Sequence, residues 1–261
     1  MSTRQDSDGE TDDGQEGLHD LLVAAQAVLF DFDGPICGLF ARNPTAPAAQ
    51  EIQDLVGAEW GELPPSVEKS QDPHGVLHAL RQDMFPEATP TGRRLATLQR
   101  ADEVVTRHEW RAIRDADLEP HIKELLKHLS YLGKRMVVVS NNAEEPIKEY
   151  LDGKSLLHHF EAVIGRDHDE LRKMKPNPHS VLRAVDSLGL APAACLMVGD
   201  QLSDLQAAES AGVPFLGTTK RAQRRAEMRA LGAGAVVTTL EPVAACAHSL
   251  AGRDARRSGQ D

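Results

Sequence analysis

Cysteine is scarce in this 261-residue chain. Its three cysteines, Cys37, Cys195 and Cys246, are odd in number and lack the paired spacing of a metal site, which fits a reducing compartment. Cys195 and Cys246 lie in apolar surroundings and read as core, and Cys37 reads as a small flap residue rather than a nucleophile. Aromatic residues make up only 4% of the chain, too few for the stacking platforms that grip single-stranded nucleic acid. Positive charge is also short: the formal net charge of −11 is opposite to what binding a phosphate backbone requires, so nucleic acid is not an expected partner. No apolar run reaches the length of a membrane span, and the N-terminus lacks the basic start and apolar core of a signal peptide. The expectation is a cytoplasmic protein with no membrane partner and no internal repeat.

What is present is ordinary for a globular protein, with 41% hydrophobic and 26% charged residues. The length allows one sizeable core and a smaller second domain. Much of the negative charge is local, since residues 1–20 hold Asp6, Asp8, Glu10, Asp12, Asp13, Glu16 and Asp20 against Arg4 alone. Residues 1–24 accordingly read as a disordered acidic tail, and residues 252–261 as a flexible one.

Between these tails, short apolar runs alternate with amphipathic stretches. Candidate strands fall at 27–30, 135–139, 160–165, 194–198, 213–217 and 235–238. Candidate helices carry Ile122, Leu125, Leu126 and Leu129, then cover 146–151, 178–188, 205–211, 221–231 and 242–250. That alternation predicts an α/β fold: a three-layer, Rossmann-like parallel sheet. Residues 38–118 hold no convincing β-run. Instead they show helical periodicity at 48–58, 76–84 and 93–113, the last with Leu95, Leu98, Val104 and Val105 as its inner face. The expected organisation is a core of 25–41 and 118–251 with a helical insert at 42–117.

The chain is organised around Asp31-Phe32-Asp33-Gly34, where the first strand gives way to a turn. Alternation sends Asp31 and Asp33 to one side and Phe32 to the other. Two carboxylates held so close persist by sharing a proton or by binding a cation, although a polar strand end before a Gly-Pro turn has the same appearance. Three more polar groups follow later strands. Ser140-Asn141-Asn142 suits an anionic oxygen or a plain helix cap. Lys175, braced by Pro176 and Pro178, suits a phosphate or a solvated loop. Gly199-Asp200 with Asp204 suits a metal or a helix start. All four sets fall on the carboxyl edge of one predicted sheet, where α/β proteins bind ligands. Together the acids make a hard oxygen site suited to Mg²⁺, and no His or Cys cluster offers a zinc alternative.

With those motifs in hand, the chain resembles a haloacid dehalogenase superfamily hydrolase of the phosphatase type, over roughly residues 25–240. The family's four motifs correspond to Asp31-Phe32-Asp33-Gly34, Ser140, Lys175 before Pro176-Asn177-Pro178, and Gly199-Asp200 with Asp204. Residues 42–117 stand where the family places a helical cap, as in phosphoglycolate phosphatase-like members. Two departures are Pro35, where the family more often has threonine or valine, and Gly38-Leu39, where those members carry an acid followed by serine. The resemblance implies a Mg²⁺-dependent phosphatase acting on a small phosphorylated metabolite, as a monomer or homodimer. By the same resemblance, Asp31 would be the nucleophile forming an aspartyl-phosphate, and Asp33 the general acid and base. Ser140, Asn141 and Lys175 would hold the phosphoryl oxygens. Asp31, Asp200 and the Asp33 carbonyl would hold Mg²⁺, with Asp204 a ligand through water or an anchor. A dehalogenase, a phosphosugar mutase and a non-catalytic relative share the fold and stand as alternatives. Arg42, Arg81, Arg107 and His108 are the polar cap residues from which leaving-group contacts would be drawn.

Overall fold

A computed structural model describes residues 12–85 and 90–258. The chain opens with α1 (Asp12–Ala24) and β1 (Ala27–Phe30), followed by a two-residue strand, β2 (Cys37–Gly38). Four helices come next: α2 (Ala46–Trp60), α3 (Pro65–Glu68), α4 (Pro73–Met84) and α5 (Gly92–Asp115). After β3 (Asp117–Leu118) strands and helices alternate: α6 (Ile122–Tyr131), β4 (Arg135–Val139), α7 (Glu144–Gly153), β5 (Ala162–Ile164), α8 (His179–Leu188), β6 (Cys195–Gly199) and α9 (Leu202–Ser210). The chain closes with β7 (Phe215–Thr218), α10 (Ala222–Ala230), β8 (Ala235–Val237) and α11 (Glu241–Ser258).

Six strands form one parallel sheet in the order β5-β4-β1-β6-β7-β8. The chain builds outward from β1 on one side and then returns to build on the other, so β1 sits at the switch point where the loops diverge and leave a crevice. Strand alternation divides the core cleanly. Val28, Phe30, Met136, Val138, Leu196 and Val198 pack on one face with residues of α1, α6, α7 and α11, whereas Ala27, Leu29, Val137, Val139, Cys195 and Met197 pack on the other with α8 and α9. The predicted three-layer α/β architecture is what the chain adopts.

Both termini differ from the sequence reading. Within the segment expected to be a disordered tail, residues 12–24 form α1, and Leu18 and Leu22 are buried against the sheet, close to β8 and α11. Leu18, Leu21 and Leu22 give a one-sided apolar stripe, which outweighs the acidic composition around it. Residues 1–11 of that expectation lie outside the described residues. At the other end α11 continues through 252–258, where arginine and alanine sustain a helix past Gly252, and 259–261 lie outside the described residues.

Residues between β2 and β3 form the helical insert. Its helices share a core of Ile52, Val56, Val76, Leu77, Leu80, Leu98, Val104 and Val105, to which Leu171 and Met174 of the sheet domain are added. The insert is therefore seated on the segment that leads to Lys175. Its stem is the antiparallel pair Cys37↔Leu118 and Gly38↔Asp117, and Arg42 pairs with Asp117 beside it. Two-residue strands have no periodicity to detect, which is why the sequence showed no strand there. Cys37 belongs to this stem and is fully buried. Prolines open α3 and α4, where a missing N–H costs nothing.

Candidate active site

Asp31 follows the last residue of β1, and its backbone N–H donates to Val198 O at 2.9 Å, which ties it to β6. The chain then turns sharply. Gly34 has φ +119°, and a Cβ there would lie 2.5 Å from the Asp200 carboxyl group, so only glycine lets the first motif approach the fourth this closely. Beyond the turn, the Leu39 N–H donates to Asp33 Oδ1 at 2.8 Å and orients that carboxyl group. Phe32 points away into the core against Tyr150, as alternation required.

Ser140 sits at the end of β4, and its hydroxyl donates to Asn142 Oδ1 at 2.9 Å. The Asn141 side chain clamps the main chain of Lys175: its Nδ2 donates to Lys175 O at 3.0 Å, and Lys175 N donates to its Oδ1 at 2.8 Å. The buried Lys175 ammonium reaches Val139 O at 3.0 Å, Asp31 Oδ1 at 2.9 Å and Asp204 Oδ1 at 2.7 Å. Burial acts to lower its pKa, but the Asp204 and Asp31 carboxylates outweigh that and hold it above the ordinary lysine value. Asp204, in the first turn of α9, accepts from Gln201 N–H at 3.0 Å with its other oxygen. All seven residues singled out in the sequence thus meet at one sheet edge. Asp31, Asp33, Ser140, Asn141, Lys175 and Asp204 line a cavity of about 480 Å³, and Asp200 stands beside it, close to Asp31 and Asp204. That volume suits a small molecule.

The electrostatics are those of a site built for a cation. Asp31 is pushed up to about 6, Asp33 to about 7 and Asp200 to about 8, in each case chiefly by burial and then by neighbouring carboxylates, with Lys175 opposing the shift at Asp31. Asp31, Asp200 and Asp204 offer ligand atoms within 4.8 Å of one another. Both Asp204 oxygens already accept hydrogen bonds, whereas Asp200 Oδ1 is buried with no partner. A buried carboxylate oxygen without a partner, on a residue grouped with two other carboxylates, fits a hard divalent cation. Arg224 braces the loop by donating to Gln201 Oε1 at 2.6 Å and Asp200 O at 3.3 Å.

The insert's contribution differs from the sequence reading. Arg42 pairs with Asp117, Arg107 and His108 with Glu51, and buried Arg81 with Glu170 and Phe85 O. None of these four lines the cavity. Thr45, Asp72 and His74 do. His74 stands at the start of α4, where the Asp72 carboxylate caps the helix by accepting from His74 N–H at 3.1 Å. The sequence reading did not single out Asp72-Pro73-His74; an Asp-Pro pair is a helix-start signal, but it does not tell which way the following side chain points. The sequence reading also missed Glu109 and Arg166, both fully buried and paired at 2.8 Å. Arg166 follows β5 on the same edge as the four motifs, a position that could have drawn notice. A second cavity of about 630 Å³, lined by Asp102, Glu103, Trp110 and His168 among others, lies away from the converging acids.

A family model for haloacid dehalogenase-like hydrolases matches residues 25–212. The phosphoglycolate phosphatase of Thiobacillus denitrificans is 31% identical over 228 residues, covering 84% of this chain and 94% of that protein. Among solved structures, a predicted phosphatase from Clostridium acetobutylicum superposes with a TM-score of 0.59 at 18% identity, over 84% of this chain and 95% of that one. CbbY from Rhodobacter sphaeroides, solved in complex with phosphate, superposes with a TM-score of 0.57 at 20% identity, over 82% and 94%. At such identities these two likenesses speak to the fold.

Proposed function

This chain belongs to the haloacid dehalogenase-like hydrolase family, and we propose that it is a Mg²⁺-dependent phosphatase that hydrolyses a small phosphate monoester through an aspartyl-phosphate. The observation that carries this reading is the Asp31 carboxylate at the switch point of the sheet, held by Lys175 and grouped with the carboxylate of Asp200, one of whose oxygens is buried and unpaired.

Asp31 attacks phosphorus, which divides one difficult hydrolysis into two displacements. Lys175 keeps the attacking carboxylate oriented and adds positive charge where the phosphoryl oxygens gather. Asp33, raised to about 7 by burial and by Asp31, is partly protonated at neutral pH, and in that form it can give its proton to the leaving oxygen. It then takes a proton from the water that attacks the aspartyl-phosphate. Ser140 and the Asn141 amide receive the non-bridging oxygens. The Asp31 and Asp200 carboxylates and the Asp33 carbonyl would hold Mg²⁺, with Asp204 anchoring Lys175 behind them. When bound, the ion offsets repulsion between Asp31 and the phosphate dianion.

A panel of phosphate monoesters assayed with and without Mg²⁺ tests the reading. Activity is expected only with the divalent ion, and Asp200→Ala should raise the Mg²⁺ concentration needed for half-maximal rate by about tenfold or more. Full activity after exhaustive chelation would remove the metal role. A phosphosugar mutase uses the same two acids, and release of free phosphate rather than an isomeric sugar phosphate separates the two.

The modest volume of the cavity favours small esters over phosphoproteins or nucleic acids, and the net charge of −11 opposes binding of the latter. Among the described residues no helix is long and apolar enough to cross a membrane, and a cytoplasmic metabolite is the substrate we envisage. His74 is the insert side chain best placed for the leaving group. His74→Ala should change the ranking of small alkyl phosphates by ~10- to 200-fold in kcat/KM while sparing a generic aryl phosphate. Arg81→Ala and Arg107→Ala should leave the ranking alone. A ranking that follows Arg81 or Arg107 instead would place the specificity contacts elsewhere on the insert.

A further inference from the structure

Glu109 belongs to the insert, yet three of its four partners belong to the sheet domain. Its Oε1 accepts from Arg166 Nη1 at 2.8 Å, His74 Nε2 at 2.9 Å and Asn142 Nδ2 at 3.1 Å, and its Oε2 accepts from Ala143 N–H at 3.0 Å. Ala143 caps the N-terminus of α7, so this amide is one that no helical carbonyl satisfies. Arg166 extends the connection by donating to Asn141 O at 2.7 Å, while it pairs with Asp102 at 2.5 Å and donates to Thr106 Oγ1 at 2.9 Å, both on α5. Residues 141, 142 and 143 are therefore each held, directly or through Arg166, by side chains of the insert. The same oxygen that receives Arg166 and Asn142 also holds the imidazole of His74, which lines the cavity beside Asp33 and carries Asp72 at 3.9 Å from its Nδ1. Burial would raise the Glu109 pKa, but the Arg166 guanidinium and His74 hold it well below the usual carboxylate range, so it stays an anion in its buried place.

We propose that Glu109 is a positioning residue that couples the loop 140–142 to His74, so that one carboxylate of the insert sets both phosphoryl binding and leaving-group recognition. The inference rests on the reading of that loop as the phosphoryl site. It departs from a simple division in which the sheet binds phosphate and the insert chooses the alcohol: with the insert displaced, the loop loses the acceptor for Ala143 N–H and for the Asn142 amide. Ser140 is affected as well, because its hydroxyl donates to Asn142 Oδ1 and so depends on the amide that Glu109 orients. Glutamine at 109 keeps the shape but supplies one neutral acceptor oxygen in place of two charged ones, and its amide N–H groups oppose the donors around it.

The test uses the full chain and three substitutions, Glu109→Gln, His74→Ala and Asn142→Ala. Inhibition by orthophosphate, which has no leaving group, is measured beside kcat/KM for an aryl and a small alkyl phosphate, with thermal unfolding recorded for each protein. Glu109→Gln is expected to weaken orthophosphate inhibition by about tenfold and also to change the alkyl-to-aryl ratio. His74→Ala should change the ratio and leave orthophosphate inhibition within about twofold. A Glu109→Gln protein that only melts earlier, with wild-type inhibition and ratio, overturns the proposal and makes the residue a structural ion-pair partner. If Glu109→Gln does not fold, the pair His74→Ala and Asn142→Ala decides. Losses in kcat/KM that depart from multiplicativity by about fivefold or more support coupling through Glu109, since the direct approach of Asn142 Nδ2 to His74 Nε2, at 3.5 Å, is at the outer limit of a hydrogen bond and too weak to give that departure; multiplicative losses overturn it. A wild-type chain that releases no phosphate from any ester overturns the phosphatase reading, and is recognised before any variant is compared.

Discussion

Asp31→Asn should lose turnover on the order of 10⁴-fold or more in kcat, because an amide cannot attack phosphorus and no other carboxylate is placed to take over. Asp33 is tethered to the Leu39 N–H, Asp204 to Lys175 and Gln201, and Asp200 lies across the Gly34 turn. The fold should survive, and the reason is the sign of the local electrostatics. Asp31, Asp33 and Asp200 all have folded pKa values above the carboxylate reference of 3.8, so the folded state binds more protons than the unfolded one. Their contribution to stability is complete below the unfolded value and is lost as pH rises through about 6, 7 and 8 in turn. After chelation, stability should thus fall across this window, and Asp31→Asn or Asp200→Asn should melt no earlier than wild type near pH 8. Adding a divalent ion should stabilise wild type more than either variant. Near-normal activity of Asp31→Asn would end the covalent mechanism, and a melting temperature that rises with pH would mean that the carboxylates are already satisfied by protein partners.

How much of this could be read from the sequence depends on the length over which each signal extends. Strand runs such as 135–139 and 194–198, helical repeats such as that in α6, and the spacing of acids and lysine along one sheet edge are local patterns, and each has a counterpart in the structure. The stem Cys37–Gly38 with Asp117–Leu118 is not local: its halves are separated by the whole insert, and two residues carry no period. Composition misled at the N-terminus, because seven acids outweigh three leucines in a count, whereas the helix needs only the leucines on one face. Side-chain direction was the largest gap. Arg81 looked like a cavity residue and is spent on Glu170, whereas His74 could not be told from any exposed histidine until the fold turned it toward Asp33. Glu109 and Arg166 are 57 residues apart in sequence, and a buried ion pair between two elements leaves no trace in either one alone.

Arg166→Met should destabilise the chain by about 3–5 kcal/mol in denaturant unfolding near pH 7, since removing one member of a buried ion cluster leaves the others charged and uncompensated. Arg166 and Glu109 have no side-chain exposure and Asp102 has 6%, so water cannot substitute for the missing guanidinium without the insert lifting. Against an ordinary domain stability of about 5–15 kcal/mol the loss is large. Its pH dependence separates this explanation from simple loss of packing. In the wild type the Glu109 pKa is depressed, so the pair's stability is present above the usual carboxylate value and is lost only as pH falls through the lower folded one. Without Arg166 the same carboxyl group gains a reason to protonate, and the deficit of the variant should shrink as pH falls toward 5. Lost packing would give a deficit independent of pH. Arg166→Lys keeps a charge but cannot reach Glu109, Asp102, Asn141 O and Thr106 from one planar group, so it should recover only part of the stability. A loss below about 1 kcal/mol for Arg166→Met would instead show that the insert yields locally and hydrates its acids. Leu171 and Met174 argue against that outcome, because they lie in the insert's own core and would have to leave it.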